Sequence, residues 1–234
     1  MSASATLQYL GHSCIKVSNN NVTLLVDPFL THSSTAPCTW QQAAQGTTHV
    51  LLTHGHGDHI GDTVQITQAN NIPAVAMVEV AGWLAKNGVA ETMEGNYGGT
   101  IQLGQGASVT LVPAWHSSSM PDGSYGGNPA GLVIKVDDHV IYHAGDTTIF
   151  GDMALINELY QPTVVLLPVG GTYTMDAKTA AIAAHKYFPQ ARHIIPLHYA
   201  TFPVLAPSAT EFETECAGRG LTATVLKPGD SLKL

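Results

Sequence analysis

The residues best suited to chemistry lie at positions 53–59, which read Thr-His-Gly-His-Gly-Asp-His directly after a predicted apolar strand. His54 and His56 are two positions apart, so in an extended chain they point the same way at the end of that strand. Asp58 and His59 fall at the start of the next predicted helix and point in a different direction. The four side chains can therefore serve two neighbouring metal ions.

The chemistry of this run limits the metal. Imidazoles with carboxylates suit Zn²⁺, and Mn²⁺ or Fe as well, whereas a structural zinc site or a soft-metal site would need thiolates that the run does not contain. We expect two divalent ions as cofactors, Zn²⁺ first, with Mn²⁺ or Fe as alternatives. Gly55 and Gly57 separate the ligand-type residues, and we predict that they permit a tight turn there.

Three further candidates each follow a predicted strand: His116, Asp146 and His198. Strands of one sheet deliver the side chains at their ends to a common edge. A single histidine in such a place is as often structural as functional. Their shared position is what makes these three residues candidate ligands.

Apolar and β-branched runs alternate with helical patterns along the chain. Strands are predicted at residues 5–10, 14–17, 22–26, 49–53, 73–77, 108–112, 131–136, 140–142, 164–167, 193–196 and 222–226. Helices are predicted at residues 61–70, 80–87, 153–159, 177–186 and 209–217. This order, without repeats or linkers, favours two packed mixed sheets covered by helices, in one α+β domain spanning residues 1–234. The irregular residues 117–129 are predicted to line the site.

Composition limits the classes of protein that fit. The 234 residues carry a formal net charge of −8, which does not favour binding to nucleic acid. Only 11% of them are charged, which suits either a homo-oligomer or a charge-poor monomer. Three cysteines without a Cys-x-x-Cys pair, and no signal-like or membrane-spanning apolar run, predict a cytoplasmic protein without disulfides.

The run at 54–59 matches the His-x-His-x-Asp-His signature of the metallo-β-lactamase superfamily, which nearly the whole chain resembles. The other motifs that carry the likeness are Tyr-Leu-Gly-His-Ser at 9–13, Leu-Val-Asp-Pro-Phe at 25–29, Ala-Trp-His-Ser-Ser-Ser at 114–119, Gly-Gly-Asn-Pro-Ala-Gly at 126–131, Tyr-His-Ala-Gly-Asp-Thr at 142–147 and Pro-Leu-His-Tyr at 196–199. They resemble in particular the metal-dependent hydrolases related to ascorbate-6-phosphate lactonase and to the N-acylphosphatidylethanolamine phospholipase D group. The resemblance implies an αββα sandwich of two mixed β-sheets, with the metals at one edge.

The resemblance also implies a role for each candidate. It assigns a first metal to His54, His56 and His116, a second metal to Asp58, His59 and His198, and a bridging position to Asp146. It places His12 and Asp27 beside the centre, as partners that orient the ligands. His143 is a further candidate, either as a proton donor or hydrogen-bonding group that faces the site, or as a structural histidine. Many relatives carry Asn where this chain has Ala200, and Asp or Asn where it has Gly171. These two departures leave the identity of the substrate open but do not affect the expected metal ligands.

A complete ligand set predicts hydrolysis. Two ions about 3.5–4 Å apart would acidify a bridging water and hold the resulting hydroxide as the nucleophile, while one ion polarises the scissile carbonyl or phosphoryl oxygen. Asp58 would orient this nucleophile or accept its proton. We expect a small lactone, ester or phosphodiester as substrate, chosen by residues 117–129, Tyr173 and Tyr199. Two alternatives stay open: a di-iron oxidoreductase or dioxygenase on the same fold, and a metal-holding binding module without turnover.

Overall fold

The computed structural model describes residues 5–104 and 106–234, which form thirteen strands and seven helices. The strands are β1 (Thr6–Tyr9), β2 (Ile15–Ser18), β3 (Thr23–Val26), β4 (His49–Leu51), β5 (Ala74–Met77), β6 (Thr92–Gly95), β7 (Thr100–Gly104), β8 (Ala107–Pro113), β9 (Ala130–Val136), β10 (His139–His143), β11 (Val164–Pro168), β12 (His193–Leu197) and β13 (Ser231–Lys233). The helices are α1 (Trp40–Ala43), α2 (Gly57–Ile60), α3 (Thr63–Asn70), α4 (Val78–Lys86), α5 (Met153–Tyr160), α6 (Ala177–Tyr187) and α7 (Thr210–Ala217).

The strands form two mixed sheets. The order in the first is β13-β1-β2-β3-β4-β5-β6, and the order in the second is β12-β11-β10-β9-β8-β7. Strands β1 and β3 both run antiparallel to β2, and β4 runs parallel to β3. Likewise β8 and β10 both run antiparallel to β9, while β11 and β12 run parallel to β10. The strands β1, β3 and β4 therefore end at one edge of the first sheet, and β8, β10 and β12 end at one edge of the second.

Strand β11 shows how the layers are packed. Val164 and Leu166 belong to the core that also contains the first sheet, whereas Val165 and Leu167 pack with residues of helices α5, α6 and α7. Successive residues of a strand point to opposite faces, so a sheet covered on both faces needs the continuous apolar run that this strand has. Helices α3 and α4 contribute buried residues to the core of the first sheet. The predicted αββα sandwich is confirmed.

One strand prediction, in the carboxyl-terminal part of the chain, is wrong. The strand predicted at residues 222–226 is absent, and a single bridge between Ile194 and Ala223 stands in its place. The last strand is instead β13, which pairs with β1 in the other sheet. The β-branched residues at 222–226 favour an extended chain, but a strand also needs a paired neighbour along its length, and that pairing depends on the tertiary structure.

The helices are short, and α6 is the longest in the described part of the chain, with 11 residues. A helix that spans a bilayer needs about 20 mainly apolar residues. Among residues 5–104 and 106–234, no helix is long and apolar enough to cross a membrane.

The loop that follows β12 offers a test of backbone conformation. Ala200 is exposed and has a φ of 60°, in the left-handed region that Asn adopts more readily than Ala. We expect Ala200→Asn to raise the free energy of unfolding by about 0.5–1 kcal/mol in urea denaturation. The control is Ala85→Asn on the exposed face of α4. This substitution should lower the free energy of unfolding by about 0.5 kcal/mol, because Asn is a weaker helix former than Ala. Equal changes in the two variants would contradict this account.

Candidate metal centre

The candidate ligands meet where strands of both sheets end. His54 and His56 follow β4, while Asp58 and His59 lie on the short helix α2 that comes next. The other three candidates, each after a different strand of the second sheet, are His116 after β8, Asp146 after β10 and His198 after β12. The ends of four strands therefore deliver side chains from four separate segments to one place.

The ligand-type atoms form three overlapping groups, each with all its atoms within 4.8 Å of one another. The groups are His54, His56 and His116; then His12, Asp58, His59 and His198; and finally His54, His59 and Asp146. The first group has the same members as the first metal site implied by the resemblance. The second contains the three expected members together with His12, and Asp146 lies between the two groups.

Asp27 sets the orientation of His59. Its Oδ2 lies 2.7 Å from His59 Nδ1, and both residues are completely buried. A carboxylate accepts hydrogen bonds, so Nδ1 carries the proton and the lone pair of His59 is on Nε2. Thr53 holds Asp27 in turn, because its amide N–H donates to Asp27 Oδ1 at 2.9 Å and its hydroxyl donates to Oδ2 at 2.7 Å. Nε2 of His59 therefore faces the centre as a free ligand atom.

Thr53 orients His54 by the same logic. Its hydroxyl proton goes to Asp27, so its oxygen accepts from His54 Nδ1 at 3.0 Å. The lone pair of His54 is then on Nε2, which lies 2.9 Å from Nδ1 of His56. Two ring nitrogens so close to each other need a shared proton or a shared cation, and a metal ion would satisfy both.

Buried atoms without a hydrogen-bond partner support a metal at this edge. Among the described residues, His59 Nε2, His198 Nε2 and Asp146 Oδ1 have no hydrogen bond. Asp146 Oδ1 lies 3.4 Å from His59 Nε2, and its Oδ2 lies 3.1 Å from His198 Nε2 and 3.6 Å from His116 Nε2. Buried polar groups are rarely left unpaired, so these donor atoms, all hard or borderline ligands, fit divalent cations.

The charges of the centre also fit metal binding. Burial lowers the pKa of His54, His56 and His116, which keeps these imidazoles in the neutral form that binds metals. Burial opposes protonation of His59 and His198 too, but nearby carboxylates together outweigh it and raise the pKa of both. These carboxylates are Asp146 and Asp27 at His59, and Asp146 and Asp58 at His198. The negative potential that attracts a proton to these two rings would equally attract a cation.

His12 contacts the centre through Asp58. Its Nε2 lies 3.1 Å from Asp58 Oδ2, and its Nδ1 lies 3.0 Å from the hydroxyl of Thr201. Burial would raise the pKa of Asp58, but the imidazoles of His12 and His198 outweigh that effect and hold this pKa well below its ordinary range. Asp58 therefore stays ionised, and His12 is placed to fix its orientation.

Backbone strain is concentrated around the same residues. His12, Asp27 and His198 have φ values of 53°, 43° and 56°, in the left-handed region that costs an L residue roughly 1–2 kcal/mol. The amide N–H of His198 donates to the carbonyl of His12 at 2.9 Å, which ties two of these strained residues together. Strained residues that the surrounding structure holds in place are typical of functional sites.

A cavity of about 360 Å³ opens onto the ligands. It is lined by His56, Asp58, His116, Ser117, Asp146, Tyr173, His198 and Phe202. Tyr173, which the sequence indicated as a substrate contact, is one of these residues, whereas Tyr199 packs against the core beneath the helices. Phe202 was missed, because nothing in its local sequence distinguishes it from a core residue.

His143 is not among the residues that line this cavity, and its contacts favour the structural role among the alternatives left open for it. Its ring is completely buried, and the amide N–H of Gly145 donates to Nδ1 at 3.2 Å. The proton of the neutral ring is therefore on Nε2, which donates to the carbonyl of Ser13 at 2.9 Å. His143 ties β10 to the loop after β1 and is a structural histidine.

The tight turn predicted to require Gly55 and Gly57 does not depend on either glycine. Neither Gly55 nor Gly57 has a positive φ, so a tight turn does not require them. A Cβ at Gly55 would lie 2.5 Å from Met120 Sδ and 3.2 Å from Ser118 Oγ, whereas a Cβ at Gly57 would meet nothing within 4 Å. Gly55 is needed because residues 117–129 pack directly on the ligand run, and Ser118 Oγ accepts from the amide N–H of Gly55 at 3.1 Å.

This difference predicts the behaviour of two alanine variants. Gly55→Ala should displace Met120 and the loop, and should lower the free energy of unfolding by about 1–3 kcal/mol. The matched variant Gly57→Ala, at an exposed position at the start of α2, should be neutral or slightly stabilising. Thermal unfolding measures both changes, and a Gly55→Ala protein as stable as the parent would show that the loop does not pack as described.

The contact between Asp27 and His59 predicts a change in metal affinity. Asp27→Asn removes the charge that orients His59, and loss of such a partner typically weakens metal binding about 10–100-fold. Asp62→Asn is the control, since Asp62 is also buried but bonds only to Leu30 and Thr31 and to no candidate ligand. Competition with a metal chelator measures the affinity. Equal affinity in the Asp27→Asn and Asp62→Asn proteins would contradict the assignment.

Comparison with known proteins agrees with this geometry. The family model described as the beta-lactamase superfamily domain matches residues 22–199. A UPF0173 metal-dependent hydrolase from Chelativorans sp. is 42% identical over 97% of this chain and 99% of its own length. The solved structure of a metallo hydrolase from the archaeon Ignicoccus hospitalis superposes with a TM-score of 0.88, at 33% identity, over 99% of this chain and 98% of that one.

A more distant structure shows how widely the fold is used. A diiron β-hydroxylase from Streptomyces venezuelae has a TM-score of 0.76 at 17% identity, over 100% of this chain and 55% of that one. This likeness concerns the fold alone. The family model and the close relatives carry more: the chain belongs to the metallo-β-lactamase superfamily and, within it, to the UPF0173 metal-dependent hydrolases.

Proposed function

We propose that this chain, as one domain, hydrolyses a small lactone, carboxylic ester or phosphodiester at a centre of two divalent metal ions. The observation that carries the proposal is the convergence of ligand atoms from both sheets on the floor of one open cavity. In our assignment, His54, His56 and His116 hold one ion, Asp58, His59 and His198 hold the other, and Asp146 bridges them. Zn²⁺ is the first choice, with Mn²⁺ or Fe as alternatives.

When bound, the two ions would supply Lewis acidity, which activates water and polarises the oxygen of the scissile bond. Asp58 lines the cavity with a side chain that is 25% exposed, so it can reach a water molecule there. Its carboxylate is ionised and held by His12, so it accepts a hydrogen bond from the attacking water and orients it. Asp58 thus acts on the reacting water, and His12 acts through Asp58 as a positioning residue.

The cavity wall supplies the groups that would contact the substrate. Apart from the proposed ligands, the wall consists of Ser117, Tyr173 and Phe202. The hydroxyls of Ser117 and Tyr173 are exposed and can donate hydrogen bonds to a substrate oxygen. Phe202, whose ring lies 5.5 Å from that of His12, closes the cavity on the side of Asp58.

The proposal predicts that hydrolysis requires the proposed metal ligands. His56→Ala and Asp58→Ala should each lower kcat/KM by about 10²–10⁴-fold, because each removes a ligand and Asp58 also orients the water. His185→Ala, which removes an exposed histidine on α6, should keep full activity. The measurement is hydrolysis of a panel of lactones, carboxylic esters and bis(4-nitrophenyl) phosphate, after elemental analysis of the purified protein.

The same experiment separates the alternatives. Two metal ions per chain with metal-dependent hydrolysis support the proposal. Iron accompanied by oxygen consumption would replace it with oxidoreductase chemistry, and tightly held metal without turnover on any substrate would replace it with a binding module. Unchanged turnover in the His56→Ala or Asp58→Ala protein would refute the site assignment.

A further inference from the structure

A second cavity adjoins the metal centre. It has a volume of about 410 Å³, and His116 lines both this cavity and the first. Its walls are mainly the side chains of Tyr97, Pro113, Trp115 and Pro129, with Asn128 and Thr148 at the polar side. His116 lines both spaces, so a molecule that reacts at the metal centre and extends beyond His116 would reach the second cavity.

Trp115 is presented on a rigid backbone. Its indole is 65% exposed, although a large apolar ring is usually buried. Its amide N–H donates to Thr147 Oγ1 at 2.9 Å, and its carbonyl accepts from the amide N–H of Thr148 at 3.2 Å. These bonds fix the backbone that carries the indole, and a large exposed aromatic ring offers a flat apolar group an extensive contact surface.

Other residues that line this cavity offer apolar surface as well. The hydroxyl of Tyr97 donates to the carbonyl of Pro129, which leaves the ring of Tyr97 as the surface that borders the cavity. Proline rings at positions 113 and 129 also line the cavity. A planar hydrocarbon group in this cavity would contact the rings of Tyr97 and the prolines as well as the indole of Trp115.

Neither cavity offers a cation to a remote anionic group. All nine Lys and Arg residues lie in the described part of the chain, and none lines either cavity. A phosphate or carboxylate far from the reacting bond would therefore have no basic side chain to pair with, and proteins usually bind such groups through Arg or Lys. The walls favour an uncharged substituent.

We infer that the second cavity, bounded by Trp115 and Tyr97, binds an aromatic or flat apolar substituent of an uncharged lactone or carboxylic ester whose acyl bond is cleaved at the metal centre. This inference rests on the proposed function and specifies its substrate. In the reaction on a lactone, the acyl C–O bond breaks and the oxygen of water bonds to the carbonyl carbon. One proton goes to the released alkoxide oxygen and the other to solvent, which leaves a hydroxycarboxylate.

Three lactones with the same scissile bond test the inference on the metal-loaded protein. They are γ-butyrolactone, its γ-phenyl derivative and its γ-carboxylate derivative. We expect kcat/KM for the phenyl compound to exceed that for the unsubstituted lactone about tenfold, and the carboxylate to be the poorest substrate. Equal kcat/KM values for the phenyl and unsubstituted lactones, or a preference for the carboxylate, would overturn the inference and leave the proposed hydrolysis standing.

Variants assign the preference to the cavity. Trp115→Ala should abolish the tenfold preference with unchanged metal content, whereas Trp115→Phe should retain most of it. Tyr97→Leu changes another residue that lines the second cavity and belongs to no ligand group, and it should reduce the preference independently, so the test does not depend on Trp115→Ala remaining loaded with metal. Leu159→Ala, at a 69% exposed apolar position that lines neither cavity, is the control and should leave the preference unchanged. A preference that persists in the Trp115→Ala and Tyr97→Leu proteins would overturn the inference.

A binding measurement separates failure of this inference from failure of the proposed function. 3-Phenylcyclopentanone has no acyl C–O bond, so it cannot be hydrolysed. In saturation-transfer NMR we expect its phenyl protons to receive saturation from the metal-loaded parent and from Trp115→Phe, but not from Trp115→Ala. Such binding without hydrolysis of any lactone would support the subsite and reject the proposed reaction. A parent protein that transfers no saturation to the phenyl protons would reject the subsite.

Discussion

The structure of the centre depends on one electrostatic constraint: several carboxylates and imidazoles are buried together at the edge of the two sheets. Asp27 and Asp146 are almost fully buried, and a histidine nitrogen lies 2.7 Å from Asp27 Oδ2 and another lies 3.1 Å from Asp146 Oδ2. An isolated buried carboxylate is strongly unfavourable, so its charge must be matched locally. A hydrogen bond from His59 compensates part of this negative charge. Metal ions bound by the free lone pairs of the imidazoles and carboxylates would compensate the rest.

This constraint explains why the backbone around the centre is strained and yet rigid. The lone pairs of His54 and His59 face the same space only because the Thr53 and Asp27 pair holds the far side of each ring. His198 and His12 reach the centre from left-handed backbone conformations, and a hydrogen bond joins them. The energy lost in these conformations is offset by the packing of the two sheets, whose strands end at this edge.

The constraint also bears on the substrate. Bound metal ions would stabilise negative charge on substrate atoms near the reacting bond. The second cavity, farther from the reacting bond, is lined mainly by aromatic rings and prolines, and no Lys or Arg in the described part of the chain lines either cavity. The same fold carries a diiron β-hydroxylase, so the fold alone does not determine the reaction. In this chain an exposed tryptophan, Trp115, comes directly before the proposed ligand His116.

The sequence by itself determined the ligand run, most of the strands, and the sandwich. Those features depend on local geometry, because two histidines two positions apart after an apolar strand share a direction whatever the rest of the chain does. The positions of His116, Asp146 and His198 after strands could be predicted for the same reason. Which of these three residues shares a metal with which residues of the run could be expected only from the resemblance, since spacing along the chain does not determine how the ends of different strands meet.

Only the tertiary structure decided the contacts between distant segments. His12 and Thr201 are 189 positions apart, and their hydrogen bond exists because the loops after β1 and β12 meet between the sheets. Gly55 is required by the packing of Met120, and His143 is turned away from the cavity by Ser13, although its sequence context placed it near a ligand. The pairing of β13 with β1, and the second cavity beside His116, likewise depend on sheet order and on side-chain packing, which the local pattern of residues does not encode.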